Sequence, residues 1–156
     1  MNGSKLNAQS EVSLREITED TVVEICKLSE TLTPTQQKTV ASNALSIAQA
    51  YFSDKAWFRA IYADDTPVGF VMLYDDPLKP EYCLWRLMIA GPYQKLGYGK
   101  QAIGLLCKYV KTRPNAKELF ASYVPIDGGP KGFYERLGFK PTGEMEDDEV
   151  VIKLDL

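Results

Sequence analysis

Gln94-Lys95-Leu96-Gly97-Tyr98-Gly99-Lys100 is the stretch of sequence that decides the fold of this chain. It follows an apolar, strand-like run at residues 82–89 and leads into a segment of helical period at residues 97–112. Its two glycines let the backbone approach a ligand closely. The helix start adds unpaired N–H groups and the positive end of the helix dipole, so the turn is typical of a pyrophosphate site. Lys95 and Lys100 add positive charge beside it.

Other interpretations of this glycine-rich turn are weaker. A tight strand-to-helix turn that binds nothing would use the same two glycines. No Gly-Lys-Ser/Thr ends the stretch, so it is not a Walker A loop. Ala102, three residues after Gly99, leaves a nicotinamide dinucleotide fingerprint open. That alternative is disfavoured because the motif does not follow the first strand, and no acidic residue closes the next strand near residues 120–123.

Outward from this turn, periodicity and turn residues predict an α+β domain, a mixed sheet with helices on both faces. Asp64-Asp65-Thr66-Pro67 predicts a hairpin turn, and an acidic turn at residues 144–148 predicts a closing hairpin. The predicted strands are residues 12–17, 57–63, 68–74, 82–89, 118–124, 139–142 and 149–154. The predicted helices are residues 21–29, 35–52, 97–112 and 131–137, the second with Val40, Ala44, Ile47, Ala48 and Tyr51 on its buried face.

Composition narrows the function classes. The chain has 156 residues, a formal net charge of −3, no His and 3 scattered Cys, which fits one domain and disfavours nucleic acid as a partner. Without His or a CxxC pair, the sequence predicts no metal site. No apolar run approaches the ~20 residues needed to span a bilayer. We expect no membrane partner, a cytoplasmic location, a flexible leader at residues 1–11 and a single domain at residues 12–156.

Two motifs resemble those of the GNAT acetyltransferases. Gln94-x-x-Gly97-x-Gly99 resembles their acetyl-CoA signature, and Phe133-Tyr134-x-x-x-Gly138-Phe139 resembles the segment that ends most such domains. The resemblance covers about residues 12–155. It implies the GNAT fold, with a central twisted, mostly antiparallel sheet, helices on both faces and splayed central strands. It also implies acetyl-CoA as co-substrate, with no metal.

The resemblance implies roles for individual residues. Strand 84–90 should splay from strand 119–124, and the backbone of Leu87, Met88 and Ile89 should pair with the pantetheine arm. One N–H near Met88 would polarise the thioester carbonyl. Tyr134 matches the tyrosine that commonly protonates the departing thiolate. The pyrophosphate would bind the loop residues, which are Gln94, Lys95, Leu96, Gly97, Tyr98, Gly99 and Lys100.

The chain departs from the family pattern before Tyr134. Asp127 stands seven residues upstream, where the family often has a cofactor-contacting Asn, and Pro130 stands where Ala is common. An ionised Asp127 can accept a hydrogen bond but cannot donate one.

An amine acceptor needs a proton acceptor. With a pKa near ~10.4, about one alkylamine in ~1,000 is neutral at pH 7.4, a handicap of roughly 4 kcal/mol. A carboxylate can offset this directly or through water. Our preferred base is Glu81, with Asp75 and Asp76 as alternatives. Adjacent strand residues face opposite sides, so one of Trp85 and Arg86 is expected to face the acceptor. An Arg there would suit an acidic acceptor and disfavour a polyamine unless a carboxylate pairs with it, and Arg86 is equally suited to a structural ion pair.

A second resemblance points to the acceptor. Residues 36–43, 46–50, 57–62 and 64–70 resemble the corresponding segments of bacterial spermine/spermidine (diamine) N-acetyltransferases. This predicts direct acetyl transfer to a primary amine, a polyamine such as spermine or spermidine. The alternatives are a protein, peptide or aminoglycoside N-acetyltransferase, and a non-catalytic acyl-CoA-binding sensor. Pairing of strand 150–154 with a second subunit makes a homodimer plausible.

Overall fold

The chain forms a seven-stranded sheet in a computed structural model that describes residues 5–156. Every neighbouring pair of strands is antiparallel except the fourth and fifth, which run parallel. The spatial order is β1-β2-β3-β4-β5-β7-β6. The strands are β1 Val12–Arg15, β2 Ala56–Ala63, β3 Thr66–Asp76, β4 Glu81–Ile89, β5 Glu118–Tyr123, β6 Lys140–Glu146 and β7 Glu149–Asp155.

Helices cover both faces of the sheet, as the sequence predicts. One face packs on the last two helices through a core that includes Ala102, Leu106 and Tyr134. The other face packs on the first and third helices through a core that includes Ile25 and Met88. The helices are α1 Val22–Lys27, α2 Pro34–Thr39, α3 Asn43–Tyr51, α4 Tyr98–Lys111 and α5 Lys131–Arg136.

The central strands β4 and β5 pair only at their beginnings. Cys83↔Phe120 is the single register pair that joins them. Beyond it, residues 84–89 of β4 stay paired with β3, and β5 stays paired with β7. The two parallel strands therefore part toward their carboxyl ends, which confirms the predicted GNAT fold with splayed central strands.

The prediction of one long helix at residues 35–52 is wrong. The segment forms α2 and α3, because two capping residues start two helices: Thr33 makes a capping box with Gln36, and the Ser42 side chain accepts from the Leu45 amide. The break shifts the phase of the second helix, so the predicted buried face is right only in part. Val40 and Ile47 pack on the core, whereas Ala44 and Ala48 are exposed. Tyr51 is 84% exposed, whereas Asn43 and Ser46 are buried.

The closing hairpin is longer than predicted. β6 and β7 run to a two-residue turn at Asp147 and Asp148, so most of the acidic segment 144–148 lies within a strand. β7 lies between β5 and β6 and pairs with both. The predicted pairing of residues 150–154 with a second subunit is therefore wrong, because neither edge of that strand is free.

Part of the predicted leader is attached to the domain. The Tyr98 hydroxyl donates to the Asn7 carbonyl at 2.8 Å, and the Glu11 amide donates to Asp64 Oδ1 at 2.9 Å. Ser10 is buried, and its hydroxyl accepts from the Asn7 amide. The prediction for residues 1–4 lies outside the described residues.

Gly69 lets β3 lie close against β4. A Cβ at this position would fall 2.3 Å from the carbonyl oxygen of Met88, a distance that real Cβ atoms do not reach. Gly104 is the opposite case, because a Cβ added there in the middle of α4 meets nothing within 4 Å.

We expect Gly69→Ala to lower the free energy of unfolding by about 1–3 kcal/mol, because the strands must separate to admit the methyl group. Gly104→Ala, the matched control, should raise it by roughly 0.5–1 kcal/mol, because alanine has the higher helix propensity. Urea unfolding of both variants measures the two effects. Equal stability of the two variants would contradict the close packing at Gly69.

Candidate active site

The gap between β4 and β5 exposes backbone groups of β4. The Ala90 amide donates to the Val68 carbonyl at 2.8 Å, on the β3 side. Directly opposite residues of an antiparallel pair alternate between bonded and non-bonded, so the Phe70–Met88 pair is bonded as well. The amides of Leu87 and Ile89 therefore point away from β3, into the gap. That direction leaves them able to bind an extended ligand as an added strand would.

The glycine-rich turn stands at the open end of this gap. Lys95 (φ 64°) and Gly97 (φ 86°) both adopt left-handed backbone conformations, which turn the chain sharply into α4. Gly97 is the N-cap and offers no side chain, and the first intrahelical bond runs from the Gln101 amide to the Gly97 carbonyl. The amides of residues 98–100 thus have no intrahelical acceptor and are available to bind an anion.

Gln94 attaches the turn to its surroundings. Its Nε2 donates to the Ile89 carbonyl at 2.9 Å, and its Oε1 accepts from Gln36 Nε2 of α2 at 3.1 Å. The Ile89 carbonyl would otherwise face the gap unpaired. Gln94 therefore fixes where β4 ends and where the anion site begins.

The other side chains of the turn divide between core and solvent. Tyr98 is buried and Leu96 packs on the core, so these side chains hold the turn in place. Lys95 and Lys100 are exposed and leave their ammonium groups free to approach an anion. A Cβ at Gly99 would lie 3.2 Å from the Phe133 ring of α5, so this glycine lets the two helices meet.

Tyr134 of α5 lies on the helical side of the gap. Its ring stacks on Tyr123 at the end of β5, with 6.2 Å between centroids, and meets Phe133 and Phe139 edge-on. The side chain is buried, and that burial, helped by the charge of Glu149, raises the pKa of Tyr134 to about 12 from its ordinary value of 10.0. The hydroxyl therefore stays protonated at neutral pH and is suited to donate a proton.

Arg86 lies on the opposite face of the sheet, toward α3. Its guanidinium donates to Gln49 Oε1 at 3.1 Å and to the Trp85 carbonyl at 3.0 Å, while its buried Nε has no partner among the described residues. A bulge at Trp85 puts both side chains on this face, with 5.8 Å from the guanidinium to the indole ring. The expectation that they face opposite sides is therefore wrong.

Sequence reasoning missed Glu149, the first residue of β7. Its Oε2 accepts from the Ser122 hydroxyl of β5 at 3.2 Å. Burial lowers the pKa of Arg86, and the charge of Glu149 opposes that lowering. The same charge acts on Tyr134. No sequence motif marks Glu149, because its position follows from the register of β5 against β7, in which Ser122 lies opposite Val151.

The predicted base Glu81 lies at the other end of β4. It is exposed and opposite Asp76, and eight residues of extended strand, roughly 25 Å, separate it from Ile89. Asp75 binds the Tyr109 hydroxyl and the Arg113 guanidinium, and buried Asp76 lies 3.8 Å from the Lys55 ammonium. The structure brings none of these carboxylates to the open end of the gap.

The side chains of Asp127 and of Cys83, the cysteine with the most strongly shifted pKa, lie outside the contacts described above. Asp127 lies exposed in the loop after β5. Burial raises the pKa of the Cys83 thiol to about 11, with a further contribution from Glu81 and Glu146. Among residues 5–156, no group of His, Cys, Asp and Glu side chains is arranged to hold a metal ion, and no helix is long and apolar enough to cross a membrane.

Parallel strands that part beside an anion-binding helix N-terminus define a site for an extended ligand with a pyrophosphate. A family model described as acetyltransferase (GNAT) family matches residues 24–139. The chain belongs to the GNAT family of acetyltransferases. It is an acetyl-CoA-dependent N-acetyltransferase, and the free amides of β4 and the bare N-terminus of α4 fit the pantetheine and pyrophosphate of that co-substrate.

Solved structures share the fold at low sequence identity. An acetyltransferase from Thermus thermophilus superposes with a TM-score of 0.78 at 14% identity, over 97% of this chain and 100% of that one. PaiA N-acetyltransferase from Thermoplasma acidophilum, in complex with coenzyme A, superposes with a TM-score of 0.69 at 16% identity, over 94% of this chain and 99% of that one. A third structure is the acetyl transferase from Salmonella typhimurium that modifies the N-terminal serine of a 50S ribosomal subunit protein. It superposes with a TM-score of 0.79 at 11% identity, over 96% of this chain and 97% of that one. No curated protein sequence gives a significant match.

Alkaline pH should destabilise the wild type more than Tyr134→Phe. The pKa of Tyr134 is about 12 in the folded state against 10.0 ordinarily, so its contribution is fully present below pH 10 and is lost as pH rises through 12. By pH 11 the loss is about 1.4 kcal/mol. Urea unfolding of both proteins at pH 9 and pH 11 measures it. The same decrease in both would show that the hydroxyl titrates as it does in the unfolded chain.

Proposed function

We propose that this acetyltransferase transfers the acetyl group directly to a primary amine of a polyamine such as spermine or spermidine. The observation that carries this proposal is the acidic end of the β6–β7 hairpin, residues 146–149, which adjoins β5 at the open side of the gap. No ion pair within residues 5–156 engages any of these four carboxylates. A negative surface without ion pairs favours a polycation over a neutral or acidic acceptor.

The charge of this hairpin end extends to the strands that bound the gap. Glu149 contributes to the raised pKa of Tyr134, after burial. A cationic acceptor that enters here would therefore be attracted toward the proton donor and the free amides of β4. The second resemblance, to spermine/spermidine acetyltransferases, supports the same acceptor class.

The co-substrate roles follow the geometry of the gap. Backbone groups of Leu87 and Ile89 pair with the pantetheine arm, and one of their amides polarises the thioester carbonyl. The Met88 amide is directed to β3, so Met88 gives no amide to the co-substrate and only lies between the two residues that do. The turn of residues 94–100 holds the pyrophosphate, with Lys95 and Lys100 adding charge and Gln94 fixing the turn. Exposed Asp127 stays a proposed cofactor contact, restricted to accepting hydrogen bonds.

Acetyl-CoA supplies the acetyl group as a thioester, and this chain supplies the proton for the leaving sulfur. Tyr134 holds that proton because burial disfavours its phenolate. Its rigid aromatic surroundings fix the ring between β5 and α5. Glu81 remains the sequence-based choice of base, but its distance along β4 argues for a carboxylate nearer the gap.

A protein N-terminus is the second candidate acceptor. One specific feature favours it: α1 and α3 expose large apolar side chains, which a polypeptide could cover. They are Val23 (62% exposed), Leu45 (51%), Tyr51 (84%) and Phe52 (85%). The similar Salmonella typhimurium enzyme modifies a protein N-terminal serine. Aminoglycoside acetylation and non-catalytic acyl-CoA sensing are further outcomes of the experiment below.

Tyr134→Phe should lower kcat for spermidine by about 10²–10⁴-fold, because the variant keeps the ring but removes the proton donor. Release of the coenzyme thiol from acetyl-CoA, measured with spermine, spermidine, putrescine, lysine and an aminoglycoside, gives both the acceptor preference and the effect of the variant. Acetyl-CoA affinity should change little.

Tyr62→Phe is the matched control, since Tyr62 lies on β2, which β3 separates from β4, and its kcat should match that of the wild type. Activity on a peptide amine but not on polyamines would contradict the polyamine proposal. Tight acetyl-CoA binding without turnover of any amine would favour a sensor.

Gln94→Ala should weaken acetyl-CoA binding by about tenfold, because it frees the Ile89 carbonyl and releases the turn from β4, at a cost near 1–2 kcal/mol. Gln36→Ala, the control, removes only the Gln94–Gln36 contact at this turn and should have a smaller effect. Calorimetric titration with acetyl-CoA measures both. A larger effect of Gln36→Ala would place the decisive contact on α2 instead.

A further inference from the structure

We infer that Glu149 is the carboxylate that receives the acceptor amine and takes the proton that the amine loses before acetyl transfer. This inference rests on the proposed function and assigns the base that sequence reasoning placed at Glu81.

Glu149 lies on the same face of the sheet as Ser122 and Arg86. Alternate residues of β7, Val150, Ile152 and Leu154, pack on the core beneath α4 and α5, so Glu149 faces the opposite side. The same alternation places Ser122 of β5 on that opposite face, since Ala121 and Tyr123 pack on the α4–α5 core. Arg86 of β4 lies there too, because it binds Gln49 of α3.

The carboxylate is held and half-buried. The Ser122 hydroxyl donates to Oε2 at 3.2 Å, from the strand that parts from β4. Its hairpin neighbours Glu146, Asp147 and Asp148 are exposed, whereas Glu149 is only partly so. One carboxylate oxygen remains without a protein donor among the described residues, which leaves it available to an ammonium group.

The charges around Glu149 favour the binding of an external cation. Glu146 lies directly opposite Glu149 in the β6–β7 register, and like charges so placed destabilise a strand pair. The titratable groups on other elements that its charge reaches are Arg86 of β4 and Tyr134 of α5. No ion pair within residues 5–156 joins Glu149 to a cation. An acceptor ammonium would relieve the Glu146–Glu149 repulsion.

The proton balance closes with the groups in place. Glu149 takes one proton from the acceptor ammonium and passes it to water. The neutral amine nitrogen then forms the N–C bond to the acetyl carbon as the C–S bond breaks, and Tyr134 gives its proton to the sulfur. The second proton lost by the nitrogen restores the Tyr134 hydroxyl, directly or through water. The products are the N-acetyl amine, the free thiol and one released proton.

Glu149→Gln should lower kcat/KM for spermidine by about 10²-fold at pH 7, while acetyl-CoA affinity stays the same. The variant must use the neutral amine, whose fraction rises about tenfold per pH unit below a pKa near ~10.4. The ratio of wild-type to variant kcat/KM should therefore shrink steadily from pH 7 to pH 10. Glu149→Asp, which keeps a carboxylate, should recover part of the activity.

Glu144→Gln is the matched control, because it removes the same charge from an exposed position of the same hairpin and should behave as the wild type. Melting curves of all variants detect any misfolding. A pH-independent ratio, or a Glu149→Gln variant as active as the wild type, would overturn the role of Glu149 and leave the proposed function standing. A wild type that binds acetyl-CoA but acetylates no amine would overturn the proposed function and this role together.

Discussion

The parting of β4 from β5 is the constraint on which the rest of the structure depends. Two parallel strands in the middle of a sheet would normally satisfy each other's amides, and here they meet at only one register pair. Unpaired backbone groups are costly when buried, so the gap persists only where a ligand or water can satisfy them. The amides that remain free, at Leu87 and Ile89, are those that an extended co-substrate can bind.

Several contacts stabilise the open end of this gap from outside. Gln94 binds the Ile89 carbonyl and links the glycine-rich turn to Gln36 of α2. On the other side, the β6–β7 hairpin continues the sheet beyond β5, so that β5 needs no bonds to β4 to remain a strand. The turn and the hairpin thus bound the gap, the turn with the exposed ammonium groups of Lys95 and Lys100 and the hairpin with the carboxylates of residues 146–149.

Two predictions of side-chain direction from sequence periodicity were wrong. Strand alternation predicted that Trp85 and Arg86 face opposite sides, but a bulge places both toward α3. The period of residues 35–52 predicted one helix with Tyr51 inside, whereas the Ser42 cap starts a new helix and turns Tyr51 outward. Both errors arise because a single inserted residue or cap changes the phase of every side chain that follows.

By itself, the sequence determined the family, the fold class, the order of the strands and the glycine-rich turn, since these depend on local patterns and on adjacent residues. Only the tertiary structure decided which carboxylates lie near the open ends of β4 and β5. Glu81 begins the right strand but lies at its far end, while Glu149 begins the last strand of the chain and yet meets Ser122 across a strand pair. That placement follows from strand register, which is set by the packing of alternate side chains on the core and has no local signature in the sequence.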